Sequence, residues 1–224
     1  MNFWTIENLR AATGGTFLAR PAKAAGPIQG VSTDSRGGSV LPGQVFVAIK
    51  GERHDGHSFV AEAARAGAAV MVVEREVALP ADVEGVCVLR VVDTRKALGR
   101  LAAAYRKTLG TMKVVAVCGS NGKTTTVRMI HAVLGTKLRG TAALRSYNNE
   151  IGVPLTLLAA RSGDQYVVCE VGTNAPGEIA GLGKLVEPDV APLNMLFLMG
   201  RPAVVGRRAV AAVRTRLLAA ARTW

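Results

Sequence analysis

Short apolar runs alternate along the chain with segments whose apolar residues recur at helical spacing. Apolar runs bounded by glycine or polar residues predict buried strands, and they lie at residues 44–49, 70–73, 86–92, 114–118 and 166–171. Helical spacing predicts helices at residues 58–66, from Asp93 or Thr94 to Leu109, around residues 127–134, and from Glu150 after a capping Asn149. Strands that alternate with helices predict an α/β protein with a mostly parallel sheet.

A glycine-rich segment separates the predicted strand at residues 114–118 from the helix that follows it. Such a turn aims backbone N–H groups and the positive end of a helix dipole at an anion, which is typical of a phosphate-binding loop. The match is to the short GxxGKT form, because Val117 stands where the full pattern has its first glycine. A chance match is the alternative, but the flanking strand and helix argue against it. The residues predicted to bind a nucleotide triphosphate are Gly119, Ser120, Asn121, Gly122, Lys123, Thr124 and Thr125.

The chemistry expected of this loop depends on two side chains within it and on one acid elsewhere. We expect Lys123 to reach the terminal phosphates and the Thr124 hydroxyl to bind Mg²⁺. Glu170 lies near the carboxyl end of the strand at residues 166–171, the edge at which parallel sheets bind ligands, so it is expected to hold Mg²⁺ directly or through water. The alternative is a carboxylate that only accepts backbone N–H groups of the next loop.

Composition narrows the class of protein. Of the 224 residues, 49% are hydrophobic and only 4% are aromatic, which suits a globular α/β protein. No run is long enough for a membrane span, and the N-terminus at residues 1–7 lacks the basic region and apolar core of a signal peptide, so we expect a cytoplasmic protein. The three cysteines are predicted to be reduced core residues: Cys87, Cys118 and Cys169.

The net charge of +12 raises the question of nucleic acid binding. Arginines concentrate at the carboxyl end, and no acidic residue follows Asp189. Half of the net charge, 6 of 12, therefore belongs to the last 25 residues, and nucleic acid is not expected as a partner. Separately, we expect a monomer.

Four stretches together resemble the Mur ligases. The first, residues 32–36 with 42–59, resembles their N-terminal uridine-nucleotide domain, and the second, residues 119–126, matches their ATP loop. The other two, residues 148–156 and 170–179, are similar to the type that adds D-alanyl-D-alanine. The diaminopimelate- or lysine-adding type carries a different threonine-rich motif in place of residues 148–152.

This resemblance implies an activity. Such an enzyme passes the ATP γ-phosphoryl group to the terminal carboxylate of a UDP-N-acetylmuramoyl tripeptide, and the amine of D-Ala-D-Ala then attacks the acyl phosphate. The product is a precursor of peptidoglycan, so the resemblance implies roles in cell-wall biogenesis, cell shape and cell division. It also implies ATP and Mg²⁺ as cofactors, and it implies catalytic roles for Lys123 and Glu170.

Further site residues follow from the resemblance, each with an alternative. Ser35 and Arg36 are expected to meet the uridine nucleotide, although Asp34-Ser35 also suits a turn. His54 and His57 are placed near the sugar–phosphate or are ordinary surface histidines. Asn148 and Asn149 contact the muramoyl-peptide arm or cap a helix. Finally, Cys118 stands where these ligases commonly have threonine, and it is expected to pack under the loop.

Beyond residue 191 the sequence departs from the resemblance. Mur ligases continue into an Asn-x-Gly-Pro-Ala-His-like stretch whose histidine, with a later modified lysine, helps to bind metals; here the last histidine is His131 and the last lysine is Lys184. We therefore expect a uridine-nucleotide domain at residues 1–92, an incomplete phosphate-loop ATPase domain at 93–191, and a divergent arginine-rich tail at 192–224. A shifted reading frame near residue 192 and a natural short form both explain this tail.

Two functions remain open from the sequence. One is the ligase of peptidoglycan precursor synthesis; the other is a non-catalytic nucleotide-binding fragment whose basic tail binds an acidic partner. Because the resemblance places amine binding in a C-terminal domain, the chain as given is not expected to complete the ligation.

Overall fold

In the computed structural model, the chain divides into two compact units, Met1–Thr108 and Leu109–Trp224. The structure describes residues 2–22, 26–35, 39–144, 146–172 and 178–194. Arg36 and most of the predicted tail at 192–224 therefore lie outside the described residues.

The first unit is built on a five-stranded sheet with the strand order β1-β5-β4-β3-β2. Strand β1 pairs with β5 in the antiparallel sense, and the other three pairings are parallel. The elements follow one another as α1 (Ile6–Thr13), β1 (Thr16–Ala19), β2 (Val31–Ser32), β3 (Val45–Val47), a 3₁₀ turn (Gly56–Phe59) that continues into α2 (Val60–Arg65), β4 (Val70–Val73), β5 (Cys87–Arg90) and α3 (Thr94–Thr108).

The predicted strand–helix–strand unit at residues 44–73 is confirmed. Strands β3 and β4 pair in parallel and every residue in them is buried. Helix α2 buries Val60, Ala63 and Ala64 against this sheet, and Gly67 ends the segment at a φ of +92° that favours glycine. The strand predicted at 86–92 is shorter than expected, because Val92 lies beyond β5 and is 99% exposed.

Helix α3 belongs to the first unit, although the sequence placed it in the second. Its apolar face buries Leu98, Leu101 and Tyr105, and the helix packs against α1. The rings of Phe3 and Trp4 lie 5.2 and 5.1 Å from the Tyr105 ring. These contacts join α3 to the start of the chain, so the boundary between the compact units falls at Thr108 rather than at Val92.

A polar network fastens the 3₁₀ turn to the end of β4. The His57 ring is buried; its Nδ1 lies 2.7 Å from Asp55 Oδ1, and its Nε2 accepts the Glu74 N–H at 2.9 Å. An acceptor at Nε2 requires the neutral ring to carry its proton at Nδ1, which then donates to Asp55. Glu74 in turn accepts hydrogen bonds from the backbone N–H and hydroxyl of Thr94. His57 is thus an interior bracing residue of the described fold rather than a surface histidine, whereas His54 is exposed.

We expect the stability of the first unit to fall below about pH 4 partly through Asp55. The Arg75 guanidinium at 2.9 Å and the His57 N–H hold the pKa of the Asp55 carboxyl well below its usual value of 3.8. A carboxyl whose folded pKa is depressed stabilises the fold above its unfolded pKa and loses that contribution as the pH falls further. Urea unfolding at pH 7 and pH 3 should show a smaller acid loss for Asp55→Asn than for the unsubstituted chain. The surface variant Asp82→Asn is the control, and an equal change in both variants would contradict the assignment.

The second unit carries a four-stranded sheet of the order β7-β8-β6-β9, and all of its pairings are parallel. Strand β6 lies inside the sheet, between β8 and β9. The strands predicted at 114–118 and 166–171 are confirmed as β6 and β8. The elements are β6 (Lys113–Gly119), α4 (Lys123–Leu134), β7 (Gly140–Ala142), α5 (Gly152–Leu158), β8 (Tyr166–Val171), α6 (Glu178–Val186) and β9 (Leu193–Asn194).

The described residues show the state of the cysteines and which helices could cross a membrane. The cysteines Cys87, Cys118 and Cys169 are free, and burial raises the pKa of the Cys87 thiol to about 11. Within the described ranges, no helix combines the length and the apolar character required to cross a bilayer.

Candidate functional site

The glycine-rich loop joins the carboxyl end of β6 to the amino end of α4. Gly119 and Gly122 have φ values of +140° and +74°, which residues with a side chain rarely adopt. Helix α4 begins at Lys123 and runs for 12 residues, and its first intrahelical bond runs from the Thr126 N–H to the Gly122 carbonyl. The leading N–H groups of a helix have no intrahelical acceptor and carry the positive end of its dipole. The loop and the helix end therefore form a concentrated set of anion-binding donors.

The Lys123 ammonium lies on this loop. Its Nζ donates to the Gly119 carbonyl at 3.0 Å and to the Ser120 carbonyl at 3.4 Å, and the side chain is half-buried. Those two carbonyls are neutral acceptors, whereas a phosphate oxygen is charged and forms stronger hydrogen bonds with an ammonium. An incoming phosphate group can therefore compete with these carbonyls for the Lys123 ammonium.

The structure brings Glu170 and Thr124 together. Glu170 lies one residue before the end of β8 and is only 2% exposed. Its Oε2 accepts the Thr124 hydroxyl at 2.7 Å, and its Oε1 accepts the Asn148 side-chain amide at 3.0 Å. Both donors are side chains, so the buried carboxylate joins the amino end of α4 to the segment before α5.

The two neighbouring asparagines have different roles. Asn149 Oδ1 accepts the N–H groups of Ile151 and Gly152 at 3.1 and 2.9 Å and so holds the turn that leads into α5. Helix α5 begins at Gly152 instead of the predicted Glu150, and its N-cap residue is Ile151, which makes no side-chain capping bond. The side chain of Asn148 points to Glu170, a contact that the sequence analysis missed.

Gly152 has a steric requirement as well as a position in the motif. A Cβ at this residue would lie within 2.4–2.6 Å of Tyr147 backbone and side-chain atoms, closer than real Cβ atoms approach. The segment that carries Asn148 could not then keep its path against the start of α5.

Gly152→Ala is therefore expected to destabilise the second unit by about 1–3 kcal/mol, the usual cost of overpacking. Thermal unfolding followed by circular dichroism measures this change. Gly181→Ala is a matched control, because a Cβ at that helical glycine meets nothing within 4 Å. Equal melting temperatures for the two variants would contradict the prediction, because the segment around Tyr147 would then move aside at no cost in stability.

The remaining predicted residues make other contacts or, like Arg36, lie outside the described residues. Ser35, in the first unit, is buried, and its hydroxyl lies 3.4 Å from Glu62 Oε2. Cys118 is half-buried near the end of β6, where its Sγ lies 3.8 Å from the Ala116 carbonyl, and burial raises the pKa of this thiol. The pairing of Ser35 with Glu62 joins residues far apart in sequence, and no local pattern signals it.

The oxygen atoms of Thr124 and Glu170 are the site's candidates for holding a metal ion. Within the described residues, no group of three or more His, Cys, Asp and Glu side chains is arranged to hold one. Mg²⁺ commonly takes one or two protein oxygens and fills its other positions with phosphate oxygens and water. The hydroxyl and carboxylate here fit that kind of site, in which the nucleotide supplies most of the ligands.

A parallel sheet in which an inner strand ends in a glycine-rich loop and a helix is the architecture of phosphate-loop nucleotide-binding proteins. Two family models match the chain: the Mur ligase family catalytic domain over residues 27–106 and the Mur ligase middle domain over residues 117–196. The chain belongs to the Mur ligase family.

Individual relatives agree with this assignment. The chain is 45% identical over 190 residues to the UDP-N-acetylmuramoyl-tripeptide–D-alanyl-D-alanine ligase of Bacillus subtilis. The aligned region covers 85% of this chain and 40% of that relative. The enzyme of the same name from Escherichia coli is 40% identical over 169 residues, covering 75% of the chain and 36% of the relative. The chain thus spans about two fifths of the length of these curated relatives.

Solved structures give the same picture. MurF from Acinetobacter baumannii superposes with a TM-score of 0.74 at 36% identity, covering 96% of this chain and 46% of that one. MurF ligase from Thermotoga maritima, solved in complex with ADP, gives a TM-score of 0.64 at 31% identity, covering 84% and 42%.

Proposed function

We propose that the second unit binds ATP together with Mg²⁺, and that the protein serves the ATP-dependent addition of D-Ala-D-Ala to a UDP-N-acetylmuramoyl tripeptide. The observation that carries the proposal is the 2.7 Å contact between Thr124 and the buried Glu170 at the end of a glycine-rich phosphate loop. The names of the relatives, and the ADP held by the Thermotoga maritima structure, support the choice of nucleotide and reaction.

The residues of the loop divide the work of holding a triphosphate. Backbone N–H groups of residues 119–125 would bind the phosphate oxygens at the helix end. The Lys123 ammonium would leave the Gly119 and Ser120 carbonyls and bind the terminal phosphates, whose negative charge it would offset. Thr124 and Glu170 would hold Mg²⁺, which when bound supplies further charge neutralisation at the phosphates.

Phosphoryl transfer depends on position and charge more than on covalent help from the protein. In the proposed reaction the γ-phosphoryl group passes to the terminal carboxylate of the tripeptide, and ADP leaves. The amine of D-Ala-D-Ala then attacks the acyl phosphate, an amide bond forms, and phosphate is released. The first unit, with Ser35 and Arg36, is proposed to hold the uridine nucleotide, and the segment around Asn149 to lie near the peptide arm.

Two measurements test the proposal. Titration calorimetry with ATP should show binding that strengthens when Mg²⁺ replaces EDTA, and GTP at the same concentrations is the comparison nucleotide. ATP labelled with ¹⁸O in its β,γ-bridge should then scramble that label only when UDP-N-acetylmuramoyl tripeptide is present, because reversible acyl phosphate formation frees the bridging oxygen. Binding of ATP without Mg²⁺ dependence would contradict the site, and scrambling that ignores the tripeptide would contradict the reaction.

A further inference from the structure

We propose that Asn148 is a positioning residue, which fixes the orientation of the Glu170 carboxylate and thereby selects for the nucleotide in its Mg²⁺-bound form. This inference rests on the proposed function of the phosphate loop and goes beyond it, because it gives Asn148 a task that involves no contact with substrate. It replaces the expectation that this side chain meets the muramoyl-peptide arm.

The carboxylate of Glu170 is held at both of its oxygens. The Thr124 hydroxyl reaches Oε2 from the amino end of α4, and the Asn148 amide reaches Oε1 from the segment before α5. One hydrogen bond leaves a carboxylate free to rotate about its last torsion, which is broad for a glutamate. Two donors from separate segments fix the plane of the group.

Asn148 is itself fastened in place by backbone contacts. Its carbonyl accepts the Gly172 N–H at 2.7 Å, and its own N–H donates to the Ser146 carbonyl at 3.0 Å. Gly172 lies two residues after Glu170 on the same chain segment, so the donor and the acceptor of the amide–carboxylate bond share one rigid frame. The next residue, Asn149, accepts the Ile151 and Gly152 N–H groups just before α5 and so holds the other side of the segment.

The Asn148 side chain packs closely against the backbone at Gly172. A Cβ on Gly172 would come within 2.8 Å of Asn148 Cγ and 3.1 Å of its amide nitrogen and oxygen. Glycine at this position therefore lets the amide lie against the backbone and reach Glu170. A side chain there would push the amide away from the carboxylate.

Loss of the Asn148 hydrogen bond should affect binding of the Mg²⁺–nucleotide complex and not binding of the metal-free nucleotide. A misplaced Glu170 would weaken binding of Mg²⁺ but would leave the loop N–H groups and Lys123 able to bind phosphate. Residues that orient a metal-binding side chain typically contribute about 10–100-fold to metal affinity. Loss of the Asn148 amide should therefore raise the dissociation constant of Mg·ADP and leave that of metal-free ADP unchanged.

The test compares ADP binding in saturating Mg²⁺ with ADP binding in EDTA by titration calorimetry. Asn148→Leu keeps the branching and heavy-atom count of the side chain but removes the donor, and we expect it to raise the dissociation constant for Mg·ADP by about tenfold. Gly172→Ala should cause the same selective loss by displacing Asn148 without removing it. The control is Gln165→Met, which removes a side-chain amide that lies before β8 and bonds to the Arg139 N–H.

Each outcome decides something. An equal loss with and without Mg²⁺ would show that Asn148 contacts the nucleotide or only supports the fold, and unchanged affinity in both variants would show that it does not position Glu170; either result overturns the inference. In a Glu170→Gln background, the Asn148→Leu change should have no further effect on Mg²⁺ dependence. If the unsubstituted chain binds ADP in neither condition, the proposed function itself fails, and this inference fails with it.

Discussion

Replacement of Lys123 by alanine is expected to abolish measurable ATP binding and to leave the fold intact. The ammonium lies at the phosphate loop, where hydrogen bonds to a charged group contribute about 1.5–3 kcal/mol each. Losing two of them at the terminal phosphates raises the dissociation constant by roughly 100-fold or more. The side chain is half-buried, and among the described residues its Nζ bonds to two loop carbonyls, so its removal is expected to open no cavity in the core. Titration calorimetry with ATP measures the effect.

Lys137→Ala is the matched control for the Lys123 variant. Lys137 is exposed in the turn after α4, and its replacement by alanine removes one positive charge from the same unit. Thermal unfolding of both variants should match that of the unsubstituted chain within about 0.5 kcal/mol, as expected for surface changes. ATP affinity that survives in the Lys123 variant, or falls equally in both, would show that the loop assignment is wrong.

The largest loss of stability is expected from Leu157→Ala. Leu157 lies in α5, is 0% exposed, and belongs to the helix that packs against β8. Truncation of a fully buried leucine costs about 2–5 kcal/mol, because transfer energy is lost and a cavity remains. Urea unfolding should show this as a lower midpoint with an unchanged slope.

Leu144→Ala serves as the comparison for that variant, since Leu144 is 82% exposed in the same unit and its truncation should change stability very little. Saturating Mg·ATP should raise the melting temperature of the Leu157 variant, because a ligand that binds only the folded state stabilises it by mass action. A Leu157→Ala chain as stable as the Leu144 variant would mean that α5 does not pack on β8 as described.

The parts of the site that follow from local sequence were predicted, and those that depend on distant contacts were not. The phosphate loop and its flanking strand and helix follow from glycines and apolar spacing within residues 113–134. The meeting of Thr124 with Glu170 was predicted from a general rule, that the carboxyl ends of parallel strands share one edge. The Asn148–Glu170 hydrogen bond was missed, because the two residues are 22 positions apart and no sequence pattern indicates that they meet.

The same distinction explains two differences elsewhere in the chain. Helix α3 was predicted correctly as a helix but placed in the second unit, because its contacts with Phe3 and Trp4 join opposite ends of the first unit's sequence. His57 gave no sign in the sequence that it is buried. Its two partners, Asp55 and the Glu74 N–H, come together only when the 3₁₀ turn meets the end of β4.

The Glu170 carboxylate also sets when the site can exist during synthesis of the chain. Its hydrogen bonds span 46 residues to Thr124 and 22 residues to Asn148, so neither can form before β8 has been made. Non-local contacts such as these form late, after the loops that separate them have closed. On the ribosome, the phosphate loop and α4 emerge before β8. Until β8 has been made, the site has its glycines and Lys123 but lacks the Glu170 carboxylate. Under the proposed function, the nascent chain would gain its metal-dependent affinity for nucleotide only after β8 has paired beside β6.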